Sequence, residues 1–223
     1  MIAKEPQNQV QLDNYFSHPP QPMGPWTTHI WRSDPRHLVF TLARYKFVAK
    51  MLAGKSSALE VGCGDAFGTP IIAQAVSRVH GIDLEPFVIE DLNKRNELKE
   101  RCTFAIHDMI AAPVKGSFDA AYSLDVIEHI PTQLEKKFVG NIVASLKPNG
   151  MLLMGTPNIE AHRFASEGSR LGHINLKSGD TLGALLAQFF ENVFIFSMND
   201  EVVHTGFTPM AHYLMAMGVG LKR

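Results

Sequence analysis

From Ser57 onward the sequence alternates short apolar runs with segments of helical periodicity, and this alternation limits the available folds more than any other feature. Apolar runs predict strands at residues 58–61, 78–83, 102–106, 118–124 and 151–156, and helical patterns occupy residues 69–76, 86–98, 132–146 and 178–190. Two further strands, 193–197 and 213–217, have no clear helix between them and indicate an antiparallel hairpin at one sheet edge. The sequence therefore predicts an α/β fold, a mostly parallel sheet of seven strands with helices on both faces.

Composition excludes several classes of protein. The chain has 223 residues, 45% of them hydrophobic, which suffices for one domain with its own core. Its 21 Lys and Arg nearly balance 22 Asp and Glu, which argues against a nucleic-acid partner and a polybasic membrane anchor. There is no apolar run long enough for a transmembrane helix and no apolar stretch typical of a signal peptide. Only Cys63 and Cys102 are present, too few for a disulfide framework, so we expect a cytoplasmic protein.

A glycine-rich turn joins the first predicted strand to the first predicted helix. Residues 59–68 read Leu-Glu-Val-Gly-Cys-Gly-Asp-Ala-Phe-Gly. Glycine permits a sharp turn and a close approach of the backbone to a ligand. Such a turn lies at the carboxyl edge of the sheet, where open α/β folds bind ligands. The dinucleotide pattern G-x-G-x-x-G would need a third glycine where this chain has Phe67, which disfavours an NAD or FAD oxidoreductase.

Acidic residues stand at the ends of the next predicted strands. Asp83 ends the second strand, where a carboxylate can accept hydrogen bonds from ribose hydroxyl groups. Asp108 follows the third strand, where it can accept a hydrogen bond from an adenine amino group while Met109 or Ile110 packs on the ring. Acids at successive strand ends, in this order, therefore favour a nucleoside-containing ligand.

These motifs together resemble the class I S-adenosylmethionine-dependent methyltransferases. Residues 59–68 are similar to the first motif of that family, with Ala66 in place of a glycine, and residues 118–130 are similar to its fourth-strand motif. The resemblance covers roughly residues 50–221 and implies an enzyme with a single Rossmann-like methyltransferase domain and S-adenosylmethionine as cofactor. Because alanine disfavours positive φ, we expect right-handed backbone at Ala66. The donor site implied by the resemblance consists of Glu60, Gly62, Cys63, Gly64, Asp83, Leu84, Asp108, Met109 and Ser123.

The catalytic candidates are Glu128 and His129, which follow the fourth strand where this family places its acceptor. A hydroxyl acceptor must lose a proton, and histidine is the usual general base. We therefore expect His129 to bind the acceptor or remove its proton. The alternative is that His129 only caps or packs against the strand end.

The residues around Glu128 and His129 are also compatible with a metal-dependent form of this reaction. Asp125-x-x-Glu128-His129 with a later His173 resembles the divalent-ion pattern of small-RNA 2′-O-methyltransferases and ubiquinone-pathway O-methyltransferases. Oxygen and imidazole ligands of this kind suit Mg, Mn or Zn. Here Asp125 stands where glutamate is usual, which shortens the reach of the side chain. We therefore predict that no metal binds.

Residues 1–53 are expected to form an N-terminal arm and helix, and residues 54–223 the methyltransferase domain. Prolines 19, 20, 22 and 25 predict a lead without helices, followed by a helix over residues 35–52 with Asp34 as its N-cap. Trp26 and Trp31 lie in this lead. They either pin the arm to the domain surface or close over the acceptor pocket as a lid.

The expected reaction is methylation of a hydroxyl group on a small molecule. The insert at residues 157–176 is short and provides no added domain to grip a macromolecule, and residues 173–203 resemble bacterial methyltransferases of saccharide and secondary-metabolite pathways. A homodimer is compatible with the sequence. The alternatives are a non-catalytic S-adenosylmethionine-binding regulatory protein and a metal-assisted O-methyltransferase.

Overall fold

Eight strands form one mixed sheet in the computed structural model, which describes residues 1–18, 20–95 and 97–222. The strands are β1 (Ser57–Val61), β2 (Arg78–Asp83), β3 (Cys102–Ile106), β4 (Phe118–Leu124), β5 (Leu146–Pro157), β6 (Phe190–Asn199), β7 (Val202–His204) and β8 (Tyr213–Leu221). Their order across the sheet is β3-β2-β1-β4-β5-β8-β6-β7. Strands β1 to β5 are parallel, whereas β8 runs antiparallel to β5 and β6, and β7 runs antiparallel to β6.

The predicted count of seven strands is wrong by one. The extra strand is β7, and three residues are too few to show the alternating pattern that identifies a strand in sequence. The two last predicted strands do pair antiparallel, as β6 and β8, but β8 lies between β5 and β6 instead of at the edge. The edge hairpin is formed by β6 and β7.

Helices cover both faces of the sheet, as the sequence predicts. The helices are α1 (Gln9–Ser17), α2 (Pro25–Ser33), α3 (Arg36–Met51), α4 (Thr69–Ala75), α5 (Pro86–Arg95), α6 (Thr132–Ala144), α7 (Glu167–Gly172) and α8 (Gly179–Leu186). One face of β1, β4 and β5 packs against α6 and α8 through apolar side chains such as Leu152 and Phe138. The opposite face packs against α3 and α4 through side chains such as Leu153 and Val48. The alternation of Leu152 and Leu153 between two cores is what a strand buried on both sides requires.

The prediction that residues 1–33 lack helices is wrong. Helix α1 ends before Pro20, and Pro25 occupies the first position of α2. At that position a backbone N–H would have no hydrogen-bond partner within the helix, so proline, which lacks this N–H, is tolerated. Pro19 lies outside the described residues. Asp34 does not cap the next helix either, because Pro35 is the N-cap of α3 and Asp34 follows the last residue of α2. The N-terminal region is therefore a pair of helices leading into α3.

Short helices also interrupt the long connection after β5, where α7 follows a 3-10 turn at Ile159–Phe164. Across the ranges that the structure describes, no helix combines the length and apolar character needed to cross a membrane.

Candidate functional site

A cavity of about 780 Å³ lies at the carboxyl ends of β1, β2, β3 and β4. Its walls come from the segments that follow these four strands, at residues 62–68, 83–85, 107–110 and 124–126, and from helices α2 and α3. Open α/β sheets bind ligands at this edge, and the volume is typical of a small-molecule site.

The glycine turn has a backbone that most residues could not adopt. Gly62 has a φ of 78° and Gly64 a φ of 50°, and a Cβ atom added to Gly62 would lie only 2.2 Å from Val126 Cγ2. Ala66 also has positive φ, at 52°, so the expectation of right-handed backbone there is wrong. The Ala66 N–H donates to the carbonyl of Cys63 over 2.8 Å, a bond that closes the turn. This bond offsets a left-handed cost of about 1–2 kcal/mol.

Glu60 lies beneath the turn and does not line the cavity. Its side chain is 1% exposed and accepts hydrogen bonds from the Tyr45 hydroxyl over 2.8 Å and the Thr69 hydroxyl over 2.6 Å. Tyr45 belongs to α3 and Thr69 begins α4, so Glu60 links both helices to β1. Burial raises the pKa of Glu60 to about 7, although hydrogen bonds from Thr69 and Tyr45 oppose the shift.

This pKa predicts how the stability of the protein responds to pH. A carboxyl group whose pKa is higher in the folded than in the unfolded state binds protons more strongly when folded. The free energy of unfolding should therefore fall as pH rises from about 4.5 to about 7, and then level off. The loss attributable to Glu60 is on the order of 3 kcal/mol. Urea unfolding at pH 5, 6, 7 and 8 measures it.

Glu60→Gln should flatten this pH dependence, and Glu191→Gln at an exposed position is the control for the substitution. Burial also raises the pKa of Glu128, to about 8, so part of the slope remains in the variant. Equal slopes for Glu60→Gln and the unmodified protein would contradict the prediction.

Asp83 and Asp108 both line the cavity. The two carboxylate oxygens of Asp83 accept the N–H of Gly64 over 2.9 Å and the N–H of Glu85 over 3.0 Å. The Asp108 carboxylate accepts the N–H of Ile110 over 2.8 Å. These bonds fix both carboxylates relative to the backbone. Each oxygen of Asp83 keeps a lone pair for a ligand, whereas Asp108 Oδ1 also accepts the N–H of Ala111 over 3.3 Å, which leaves Oδ2 of Asp108 for a ligand.

The remaining predicted donor residues divide into two groups. Cys63, Leu84 and Met109 line the cavity, and burial raises the pKa of the Cys63 thiol. Ser123 lies outside the cavity, and its buried hydroxyl has no hydrogen-bond partner among the described residues. The structure therefore brings most of the predicted donor set together and leaves Glu60 and Ser123 as supports below it.

His129, in the turn that follows β4, lines the same cavity. Its Nδ1 donates to the carbonyl of Gly172 over 2.9 Å, which orients the ring and leaves Nε2 available. Glu128 is fully buried outside the cavity, where Oε2 accepts the Thr156 hydroxyl over 3.0 Å and Oε1 has no partner among the described residues. One ligand atom each from Glu128, His129 and His173 lies within 4.8 Å of the others.

Asp125 is held by Arg44, which no sequence pattern selects. Arg44 of α3 donates from Nη1 to both carboxylate oxygens of Asp125, over 2.9 and 2.7 Å. The Arg44 guanidinium also lies 3.7 Å from the centroid of the Tyr213 ring, and the Arg44 side chain is buried. Asp125 has a φ of 57° and lines the cavity, so its carboxylate is fixed at the cavity wall.

Helix α2 forms part of the cavity wall beside the glycine turn. Trp26, Thr27 and Ile30 line the cavity, whereas Trp31 does not. The Thr27 N–H donates to the carboxylate of Asp65, within the turn, over 2.5 Å. The arm thus contacts the donor side of the cavity, a position that the sequence interpretations did not anticipate.

Comparison with known proteins agrees with this geometry. Residues 58–150 match a family model described as a methyltransferase domain. A probable S-adenosylmethionine-dependent methyltransferase of Mycolicibacterium smegmatis is 30% identical over 115 residues, covering 51% of this chain and 42% of that protein. A ubiquinone biosynthesis O-methyltransferase of Xanthomonas campestris is 26% identical over 142 residues, covering 60% of this chain and 59% of that protein. The chain thus spans about half the length of these curated relatives.

Solved structures confirm the Rossmann-like fold. N-methyltransferase NodS from Bradyrhizobium japonicum, in complex with S-adenosylhomocysteine, has a TM-score of 0.61 at 19% identity, covering 95% of this chain and 97% of that chain. A putative methyltransferase in complex with the Haloferax volcanii Trm112 activator has a TM-score of 0.67 at 14% identity, covering 85% and 96%. The matched segment contains the glycine turn, Asp83, Asp108 and His129. The chain therefore contains a methyltransferase domain of the class I S-adenosylmethionine-dependent family.

Proposed function

We propose that this protein transfers the methyl group of S-adenosylmethionine to a hydroxyl group of a small molecule. The observation that carries the proposal is the shared cavity: the glycine turn, Asp83 and Asp108 line the same 780 Å³ space as His129 and Asp125. Donor and acceptor groups therefore meet within one enclosure. Alignment in such an enclosure is the main requirement when the donor is already activated.

The donor lies against the glycine turn. The Asp83 carboxylate accepts hydrogen bonds from the ribose, and Asp108 with Met109 binds the adenine, while Cys63 and Leu84 complete the walls. The backbone of Gly62 and Gly64 allows the methionine part to approach closely because neither residue has a side chain. The S-adenosylhomocysteine complex of the NodS neighbour supports this assignment.

His129 removes the proton of the acceptor. As the oxygen forms a bond to the methyl carbon, the carbon–sulfur bond breaks and its electron pair remains on sulfur, which gives S-adenosylhomocysteine. The hydroxyl proton passes to Nε2 of His129, the nitrogen left available by the bond from Nδ1 to Gly172. Glu128 is fully buried, does not line the cavity and bonds Thr156, so it takes no proton from the acceptor.

Asp125 gives the acceptor side its polarity. Its carboxylate pairs with Arg44 and accepts a hydrogen bond from a further hydroxyl of the acceptor. A phenol with neighbouring hydroxyls or a saccharide has such groups. The similarity to a ubiquinone biosynthesis O-methyltransferase supports oxygen as the acceptor atom, and the saccharide or secondary-metabolite pathway stays a prediction.

A metal-assisted O-methyltransferase is the second candidate, favoured by the cluster of Glu128, His129 and His173. The bond from His129 Nδ1 to a carbonyl is the arrangement by which proteins orient metal-binding histidines. A divalent ion would lower the pKa of the acceptor hydroxyl. We rank this candidate second because Arg44 engages Asp125, which leaves Glu128 as the one carboxylate in the cluster.

Methyl-labelled S-adenosylmethionine, incubated with a panel of catechols, phenols and saccharides, tests the proposal. We expect label in an ether product, with S-adenosylhomocysteine binding measured in parallel by calorimetry. Asp83→Ala should weaken that binding by about 1–3 kcal/mol. Asp119→Ala is the matched control, because Asp119 is the second residue of β4, away from the carboxyl ends of the strands, and pairs with Lys147 over 2.7 Å. Binding without transfer to any acceptor would favour the non-catalytic alternative, and absence of binding would contradict both.

A further inference from the structure

Helix α2 covers the glycine turn through an aromatic side chain. A Cβ atom added to Gly64 would lie 3.2 Å from Cε3 and 3.3 Å from Cζ3 of Trp26. Trp26 and Ile30, one turn further along α2, both line the cavity that contains the turn. The indole ring therefore stands over the backbone against which the donor lies.

A single carboxylate fastens α2 to the turn. Gly24, the N-cap of α2, has no side chain to accept a free N–H of the first turn, and Asp65 accepts the Thr27 N–H in its place. Asp65 is 4% exposed. Arg95 of α5 fixes it from behind, donating from Nη2 to the Asp65 carbonyl over 2.8 Å.

The residue before α2, Gly24, is also closely packed. Gly24 has a φ of 92°, and a Cβ atom there would lie 2.5 Å from Arg95 Nη2 and 2.6 Å from Asp65 Cγ. Only glycine fits this position without displacing the helix or the carboxylate.

The rest of α2 is weakly attached. Thr27 is its only buried residue, while Trp26 is 45% exposed and Trp31 is 56% exposed. A helix with so little buried apolar surface separates from its neighbours at low cost once its few specific contacts break. Among the hydrogen bonds that the structure describes for α2, the one from Thr27 to Asp65 is the bond that reaches the glycine turn.

We propose that α2 is a lid on the donor pocket, that Trp26 contacts the bound donor, and that Asp65 holds the lid closed. The proposal rests on the proposed function, since it assigns the cavity beneath α2 to S-adenosylmethionine. Donor enters and S-adenosylhomocysteine leaves only while α2 is detached from the glycine turn. Trp26 is thus a donor-binding residue, and Asp65 is a positioning residue that acts through α2.

The two tryptophans of the chain permit a direct test of contact. Trp31→Phe leaves Trp26 as the single tryptophan, and its fluorescence should change when S-adenosylhomocysteine is added to the full chain. Trp26→Phe leaves Trp31, which lies on the same helix outside the cavity and should not respond. An unchanged Trp26 signal, in a protein that calorimetry shows to bind S-adenosylhomocysteine, would overturn the contact.

Stopped-flow measurement of S-adenosylhomocysteine release tests whether Asp65 holds α2 against the glycine turn. Asp65→Ala should speed release by about tenfold or more, because a hydrogen bond to a charged acceptor is lost. Gly24→Ala should do the same while leaving Asp65 in place, so the proposal does not depend on one variant folding. Trp31→Leu should keep the original rate. Original rates in both Asp65→Ala and Gly24→Ala would overturn the lid, whereas failure of the unmodified chain to bind S-adenosylhomocysteine would overturn the proposed function itself.

Discussion

Replacing His129 by glutamine should lower the rate of methyl transfer by about 10²–10⁴-fold, the usual contribution of a general base. Glutamine preserves much of the volume of the side chain but cannot take a proton from the acceptor at neutral pH. The affinity for S-adenosylhomocysteine should stay unchanged, since none of the proposed donor contacts involves His129. Turnover with the best acceptor of the panel and calorimetry of S-adenosylhomocysteine measure the two effects separately.

The same variant distinguishes the two proposed mechanisms. If His129 acts without a metal, a chelator should leave turnover intact and His173→Ala should cost little. If the cluster of Glu128, His129 and His173 binds an ion, the chelator should abolish turnover, Mg or Mn should restore it, and His173→Ala should match His129→Ala. His204→Gln is the control, because His204 bonds Asn199 on the edge hairpin over 3.0 Å. Full turnover by His129→Gln would rule out both mechanisms and leave alignment alone.

The parts of the site that the sequence predicts are those with a local signal. Gly62 and Gly64 follow an apolar run directly, and Asp83 follows the next one, so the meeting of parallel strand ends places them together. The face of the sheet to which a side chain near a strand end points is harder to predict from the sequence. Glu60 and Ser123 are buried in neighbouring strands and neither lines the cavity. Glu60 pairs with Tyr122 and Ser123 with Val61, so the pleat turns their side chains to opposite faces of the sheet, which the order of residues alone did not show.

The contacts that sequence reasoning missed join residues far apart in the chain. Arg44 and Asp125 are 81 positions apart, and Thr27 and Asp65 are 38 apart. No periodicity or capping pattern connects such pairs, since each depends on how α2 and α3 pack on the finished sheet. The prolines of the lead were interpreted wrongly for a related reason. Proline interrupts a helix in its interior but is well tolerated at its first position, and Pro25 is the first residue of α2.

Gly62→Ala should destabilise the protein by about 2–5 kcal/mol and weaken donor binding at least as strongly as Asp83→Ala. Two costs combine at this position. The backbone has a φ of 78°, which disfavours any residue with a Cβ atom, and that atom would lie 2.2 Å from Val126 Cγ2. Relief of the clash must move either the turn or Val126, and both line the cavity. Urea unfolding and calorimetry of S-adenosylhomocysteine measure the two consequences.

Gly54 separates these costs. Its φ of 81° nearly equals that of Gly62, but a Cβ atom there would meet nothing within 4 Å. Gly54→Ala should therefore show the backbone cost alone, about 1–2 kcal/mol, with donor binding unchanged. The excess in Gly62→Ala then measures the clash, and Val126→Ala in the same chain should recover most of it by removing Cγ2. Equal losses of stability in Gly54→Ala and Gly62→Ala, or no recovery with Val126→Ala, would show that contact with Val126 is not what requires glycine at this turn.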